Sequence, residues 1–143
     1  MAVSEAEFTR AKGFWIDLDI IGTNASREVT AIVATIRGIN GSKSSATRRG
    51  RPVEYRLLAD VSDLRSGLPD GWIVVPEAAQ IEHVNIWPAD KTCPLTRSRM
   101  PRICWGSGPK KWEKTPAANR TLGNFLEVAR QVLNGVNLNS PAR

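Results

Sequence analysis

Hydrophobic and polar positions alternate along this chain with periods that change from segment to segment. Ser4-Glu5-Ala6-Glu7 has the S-x-x-E spacing of a capping box, and Phe8, Ala11 and Trp15 follow at helical intervals, which predicts a short N-terminal helix. Gly13 weakens that helix. The following FWIDLDII fits either a helix or the alternation of a strand, so the boundary between the two stays open. Residues 28–37, EVTAIVATIR, are rich in β-branched side chains and read as a strand; PVEYRLLADV at 52–61 reads as a second. WIVV at 72–75 and QIEHV at 80–84 are shorter runs bounded by Gly and Pro, so the pattern predicts a four-stranded antiparallel meander.

Between these runs the chain is punctuated. Residues 38–51 combine Gly, Ser and basic side chains and predict a flexible basic loop. Residues 87–116 are dense in Pro, with Gly106, Ser107 and Gly108 at their centre, and predict a largely irregular loop of the kind that often carries function. Beyond it Leu122, Phe125, Leu126, Ala129, Val132, Leu133 and Val136 form one apolar stripe at i, i+3, i+4 spacing, with Thr121 placed as N-cap and Gly135 near the end. The expected fold is a single α+β domain over residues 1–143: N-terminal helix, meander, irregular loop, C-terminal amphipathic helix.

Composition bounds this picture. At 143 residues, with 41% hydrophobic and 24% charged side chains, the chain is one ordinary globular domain that needs no disulfide staples. Glu5 and Glu7 stand where a signal peptide would be basic and apolar, and no apolar run approaches a membrane span, so a cytoplasmic protein with no membrane partner is expected. The net charge of +6 suits an acidic partner or a nucleic-acid backbone without choosing between them. One basic group, Arg37, Lys43, Arg48, Arg49 and Arg51, lies in or beside the 38–51 loop; the other runs from Lys91 to Lys114 around the two cysteines, Cys93 and Cys104. In a reducing cytosol both thiols are expected to be free, and both are candidates for chemistry.

The residues of this second region carry a resemblance. His83-Val84-Asn85 directly after the last expected strand is similar to the His-Pro-Asn tripeptide of the ubiquitin-conjugating (UBC-like) superfamily, with Val84 in place of the proline. Leu68-Pro69 and Pro76 resemble its proline-punctuated segment; Ile103-Cys104-Trp105, followed by Trp112, resembles its catalytic tripeptide and downstream Trp; the closing NLNSPAR resembles its Asn-Pro region. The resemblance covers roughly residues 52–143 and is nearest to bacterial members found in antiphage operons. It implies a UBC-like fold and a cysteine that carries an acyl group. The partners it implies are a ubiquitin-like protein or a nucleotidyltransferase tail as the carried acyl, a separate activating enzyme, and a target-protein lysine as acceptor.

The family usually places its cysteine ten residues after the His, a position occupied here by Cys93, so two spacings select two thiols. Ile103-Cys104-Trp105 has apolar flanks and keeps the register to Trp112, whereas Thr92-Cys93-Pro94 has none, which favours Cys104 over Cys93 and makes residues 87–101 an insertion. A thioester on such a thiol keeps its acyl carbon activated. Asn85 is then the candidate donor to the oxyanion formed on amine attack, and His83 the ring that locks the loop to backbone. Asn85 as a simple turn residue and the cysteines as buried small hydrophobes are the plain alternatives.

A zinc site from His83, Cys93 and Cys104 lacks the Glu of H-x-E and the C-x-x-C spacing of zinc deaminases, so no metal and no cofactor is expected. No Gly-rich phosphate loop is present, and the chain alone is not expected to bind ATP. Two readings of other classes stay open: a non-catalytic UBC-like binding module, and a nucleic-acid binder that stacks bases on Trp105 and Trp112 over a basic surface.

Overall fold

The computed structural model describes residues 2–41, 50–136 and 140–142. The elements in chain order are helix α1 (Glu5–Lys12), strands β1 (Leu18–Thr23), β2 (Val29–Asn40), β3 (Arg51–Asp60), β4 (Trp72–Val75), β5 (Ile86–Thr92) and β6 (Arg99–Ile103), then helices α2 (Gly108–Lys114) and α3 (Leu122–Asn134). The six strands form one antiparallel sheet in the order β1-β2-β3-β4-β6-β5. The architecture is α+β, as the pattern predicts, but the sheet has six strands and not four.

The corrections have causes in how distant segments pair. The ambiguous stretch after Gly13 resolves as strand β1, because pairing with β2 buries Leu18 completely. Residues 80–84 are no strand: Ala78–Gln80 is a 3₁₀ turn, and the segment that follows hydrogen-bonds to β2 through a side chain. Residues 87–116, expected to be irregular, hold most of β5, all of β6 and α2. Two of their prolines sit where the elements tolerate them. Pro88 lies on the edge strand β5, inside the irregular stretch between the Trp87 and Lys91 pairings, and Pro109 falls in the first turn of α2. The expected basic loop is shorter than 38–51, since Gly38, Ile39 and Asn40 pair with Val53, Pro52 and Arg51; its centre, 42–49, lies outside the described residues, as do 137–139 of the closing segment.

The period-2 alternation of β2 puts Ile32, Ala34 and Ile36 on one face, where with Tyr55, Leu57, Ala59, Ile73 and Ile103 they pack against Leu122, Phe125, Leu126, Ala129 and Leu133 of α3. The opposite face carries a smaller buried cluster of Val33, Leu58, Trp72, Cys93 and Met100.

Groups from distant segments hold α3 at both ends. At its start Thr121 accepts from the Asn124 N–H, and Glu7 of α1 accepts from the Leu122 N–H at 2.7 Å while pairing with Arg65. Ser4 caps α1 by accepting from the Glu7 N–H, but the Glu7 carboxylate thus serves α3 instead of closing the capping box. At the other end Gly38 lets the last turn of α3 approach β2 so closely that a Cβ there would stand 2.8 Å from the Leu133 carbonyl oxygen.

Candidate active site

The site is assembled where β6 ends against the last turn of α3. His83, fully buried, donates from Nε2 to the Leu133 carbonyl at 2.9 Å and accepts the Asn85 N–H on Nδ1 at 3.0 Å. A carbonyl can only accept, so the ring carries its proton on Nε2 and is neutral. Burial pushes its pKa below 6.5, partly opposed by the bond to Leu133. Its edge packs on Tyr55, whose hydroxyl donates to the Ile39 carbonyl at 2.6 Å and whose phenol burial raises far above its ordinary pKa.

Asn85 is the second clamp. Its Nδ2 donates to the carbonyls of Val132, which also accepts the Gly135 N–H, and of Gly135, each at 3.1 Å, and so ties the end of the helix to this segment. Both amide hydrogens are therefore committed in this arrangement. Its backbone carbonyl accepts the Cys104 N–H at 2.8 Å, and the preceding Ile103 N–H donates to the Gly71 carbonyl at 2.8 Å. The chain through Cys104 is thereby fixed from two sides immediately after the strand. Trp105 secures the exit: its indole N–H donates to the Pro69 carbonyl at 3.1 Å and its ring meets Phe125 edge-on at 5.9 Å. Gly106, at φ +57°, then turns the chain into α2, whose buried Trp112 donates to the Leu64 carbonyl.

Cys104 is 8% exposed and lies where two clefts meet. One, of about 310 Å³, is lined by Asn85, Trp105, Ser107, Gln131 and Val136. The other, of about 540 Å³, reaches along β5 and β6 past Trp87, Lys91 and Arg102. Cys93 is placed differently. It has no exposed surface, sits in the tight turn joining β5 to β6, where its N–H donates to the Ser98 carbonyl, and packs with Val33, Leu58, Trp72 and Met100 on the face away from α3. The fold thus brings His83, Asn85 and Cys104 together and leaves Cys93 out; both thiols are free. Of the cations flanking Cys104 in sequence, Arg102 lines the larger cleft, while Lys111 lies in a separate groove between α2 and α3.

Residue patterns alone did not single out Gly38, Tyr55 or Trp87 as parts of this region. Gly38, inside a β-branched run, was the available signal, because Gly in a strand often marks a close backbone approach. Among the described residues no group of three or more His, Cys, Asp or Glu side chains is placed to hold a metal ion, and no helix is long and apolar enough to cross a membrane. Compared with known proteins, the chain matches no family model, no curated protein and no solved structure.

Proposed function

We propose that this protein is a ubiquitin-conjugating-type enzyme, which accepts the C-terminal acyl group of a ubiquitin-like or other partner protein on the Cys104 thiol and passes it to a lysine amine. One observation carries the reading: Asn85 and Cys104, nineteen positions apart, are joined by a backbone hydrogen bond at the meeting point of two clefts. Two clefts suit a two-substrate transfer, one for the carried tail and one for the incoming amine. In the first step the Cys104 thiol gives its proton to solvent, its sulfur bonds to the acyl carbon of the donor thioester, and the donor's thiolate leaves. In the second the amine attacks that carbon, loses a proton to solvent, and the Cys104 thiolate departs.

His83 is a positioning residue in this scheme, since both ring nitrogens are used on backbone groups. Asn85 positions Cys104 through its carbonyl; to serve the oxyanion its amide exchanges the Val132 or Gly135 carbonyl for the new charge. Removal of such a donor typically lowers the rate by ~10²–10³. Incubation with a ubiquitin-like protein, its activating enzyme and ATP is expected to give a higher-mass band that thiol reductant removes. Cys104→Ala abolishes the band, Cys93→Ala keeps it, and Cys104→Lys converts it to a reductant-stable amide. A band that survives Cys104→Ala refutes the proposal.

A further inference from the structure

Arg102 occupies an unusual place for a cation. It lies in β6 in register with Trp72 of β4 and Trp87 of β5, so the side chain stands between two indoles on the sheet face away from α3. Its guanidinium carbon is 5.2 Å from the centroid of the Trp87 ring. Its Nη1 is buried with no hydrogen-bond partner, and among the described residues no carboxylate stands within ion-pairing distance. Arg56, Arg65 and Arg130, by contrast, each have a carboxylate. A half-buried guanidinium with an unsatisfied N–H carries a desolvation cost that an anion would relieve. The side chain lines the larger cleft beside Cys104, where Lys91 adds a second cation and Asp70 is the carboxylate present.

Building on the thioester reading, we propose that this cleft binds a carboxylate: an acidic side chain just upstream of the carried C-terminus sits on the guanidinium of Arg102. The spacing sets the position. Two residue steps of extended chain take Arg102 to Cys104, about 7 Å at the usual strand rise. A tail lying in the cleft over the face of β6, with its acyl carbon at Cys104, therefore brings the side chain two residues before its terminus over Arg102. A carboxylate matches the guanidinium in charge and in its paired oxygens, and the partly exposed side chain can turn Nη1 toward the cleft to meet it. Trp87 then backs the cation from the other side.

The test uses the peptide acetyl-Ala-Ala-Glu-Ala-Gly and its Gln counterpart, each as the amide and as the mercaptoethanesulfonate thioester. Titration of the amides, followed by the Trp87 indole N–H resonance, is expected to show the Glu peptide binding about fivefold or more tightly than the Gln peptide, as a charge-assisted bond implies. The preference is lost in R102Q and weakened at high salt, and R102K retains part of it. Should R102Q fold poorly, R102K and the salt dependence of the wild type carry the test. Equal binding of the two amides overturns the inference, as does a preference unchanged in both Arg102 variants. Stronger, Arg102-dependent binding of a short oligothymidylate overturns it in favour of nucleic acid.

The thioesters separate this inference from the reading it rests on. In the exchange the Cys104 thiolate bonds to the acyl carbon and mercaptoethanesulfonate leaves as a thiolate that takes up a proton; the adduct is read by mass. Faster loading of the Glu thioester, absent in Cys104→Ala, supports both. No loading on Cys104 together with Arg102-dependent binding of the Glu amide counts against the thioester reading and for the carboxylate site. Loading of both thioesters at one rate, with equal binding of the amides, counts against the carboxylate site alone.

Discussion

Replacing Gly38 by Ala tests whether the contact between β2 and the end of α3 organises the site. The added Cβ would stand 2.8 Å from the Leu133 carbonyl oxygen and 2.9 Å from both the Leu133 Cβ and the Tyr55 ring. None of the three can yield cheaply. The carbonyl is held by His83, and the Tyr55 ring is anchored through its hydroxyl to the Ile39 carbonyl. The last turn of α3 must therefore lift from the sheet. Overpacking of this kind costs about 1–3 kcal/mol. Loosening the His83 and Asn85 bonds to that turn adds about 1 kcal/mol for each bond that fails. Stiffening of the unfolded chain by Ala returns about 0.4–1 kcal/mol. The net loss is about 2–4 kcal/mol, which for a domain of this size lowers Tm by roughly 6–15 °C. Urea and thermal unfolding read it directly, with the midpoint falling and the m-value unchanged. Gly123→Ala is the control: a Cβ there meets nothing within 4 Å, and Ala in that first turn of α3 should raise stability by up to about 1 kcal/mol. A Gly38→Ala protein that melts with the wild type would refute the close-approach argument.

Other outcomes follow from the same geometry. Because burial holds His83 neutral, the unfolded chain binds a proton below pH 6.5 that the folded chain refuses. Its contribution to stability is therefore complete above that pH and falls as the pH drops below it; urea titrations at successive pH values should show the decline, and His83→Gln should flatten it. Iodoacetamide should label Cys104 well before Cys93, which has no exposed surface, and mass mapping that finds Cys93 labelled first in the folded protein contradicts the placement. Cys93→Ser puts a hydroxyl into an apolar cluster and should cost about 1–3 kcal/mol in chemical unfolding. Glu7→Gln weakens the pairing with Arg65 and the bond to the α3 N-terminus; a loss of about 1–3 kcal/mol is expected, and unfolding curves that overlay the wild type would contradict it.

The elements that proved legible in the sequence are those whose causes are local. The α3 stripe, its Thr121 cap and the β-branched runs of β2 and β3 follow from side-chain period and capping chemistry, which neighbouring residues supply. The sequence likewise set a basic segment with two cysteines ahead of that helix and offered His83, Asn85 and either Cys104 or Cys93 as candidates for chemistry. Proline-rich segments misled because a proline is compatible with an edge strand or the first turn of a helix, and whether a strand is at an edge is a property of the assembled sheet.

Only tertiary structure separates the surroundings of the two thiols, because spacing along the chain says nothing about sheet faces. Cys93 ends on the face away from α3 while Cys104 emerges beside Asn85, and that separation depends on how the β5–β6 hairpin pairs with β4. The hydrogen-bond partners of His83 and Asn85 are set in the same way. Both side chains donate to carbonyls at or just beyond the end of α3, some fifty residues away, and which distant segment reaches that end is a property of the fold.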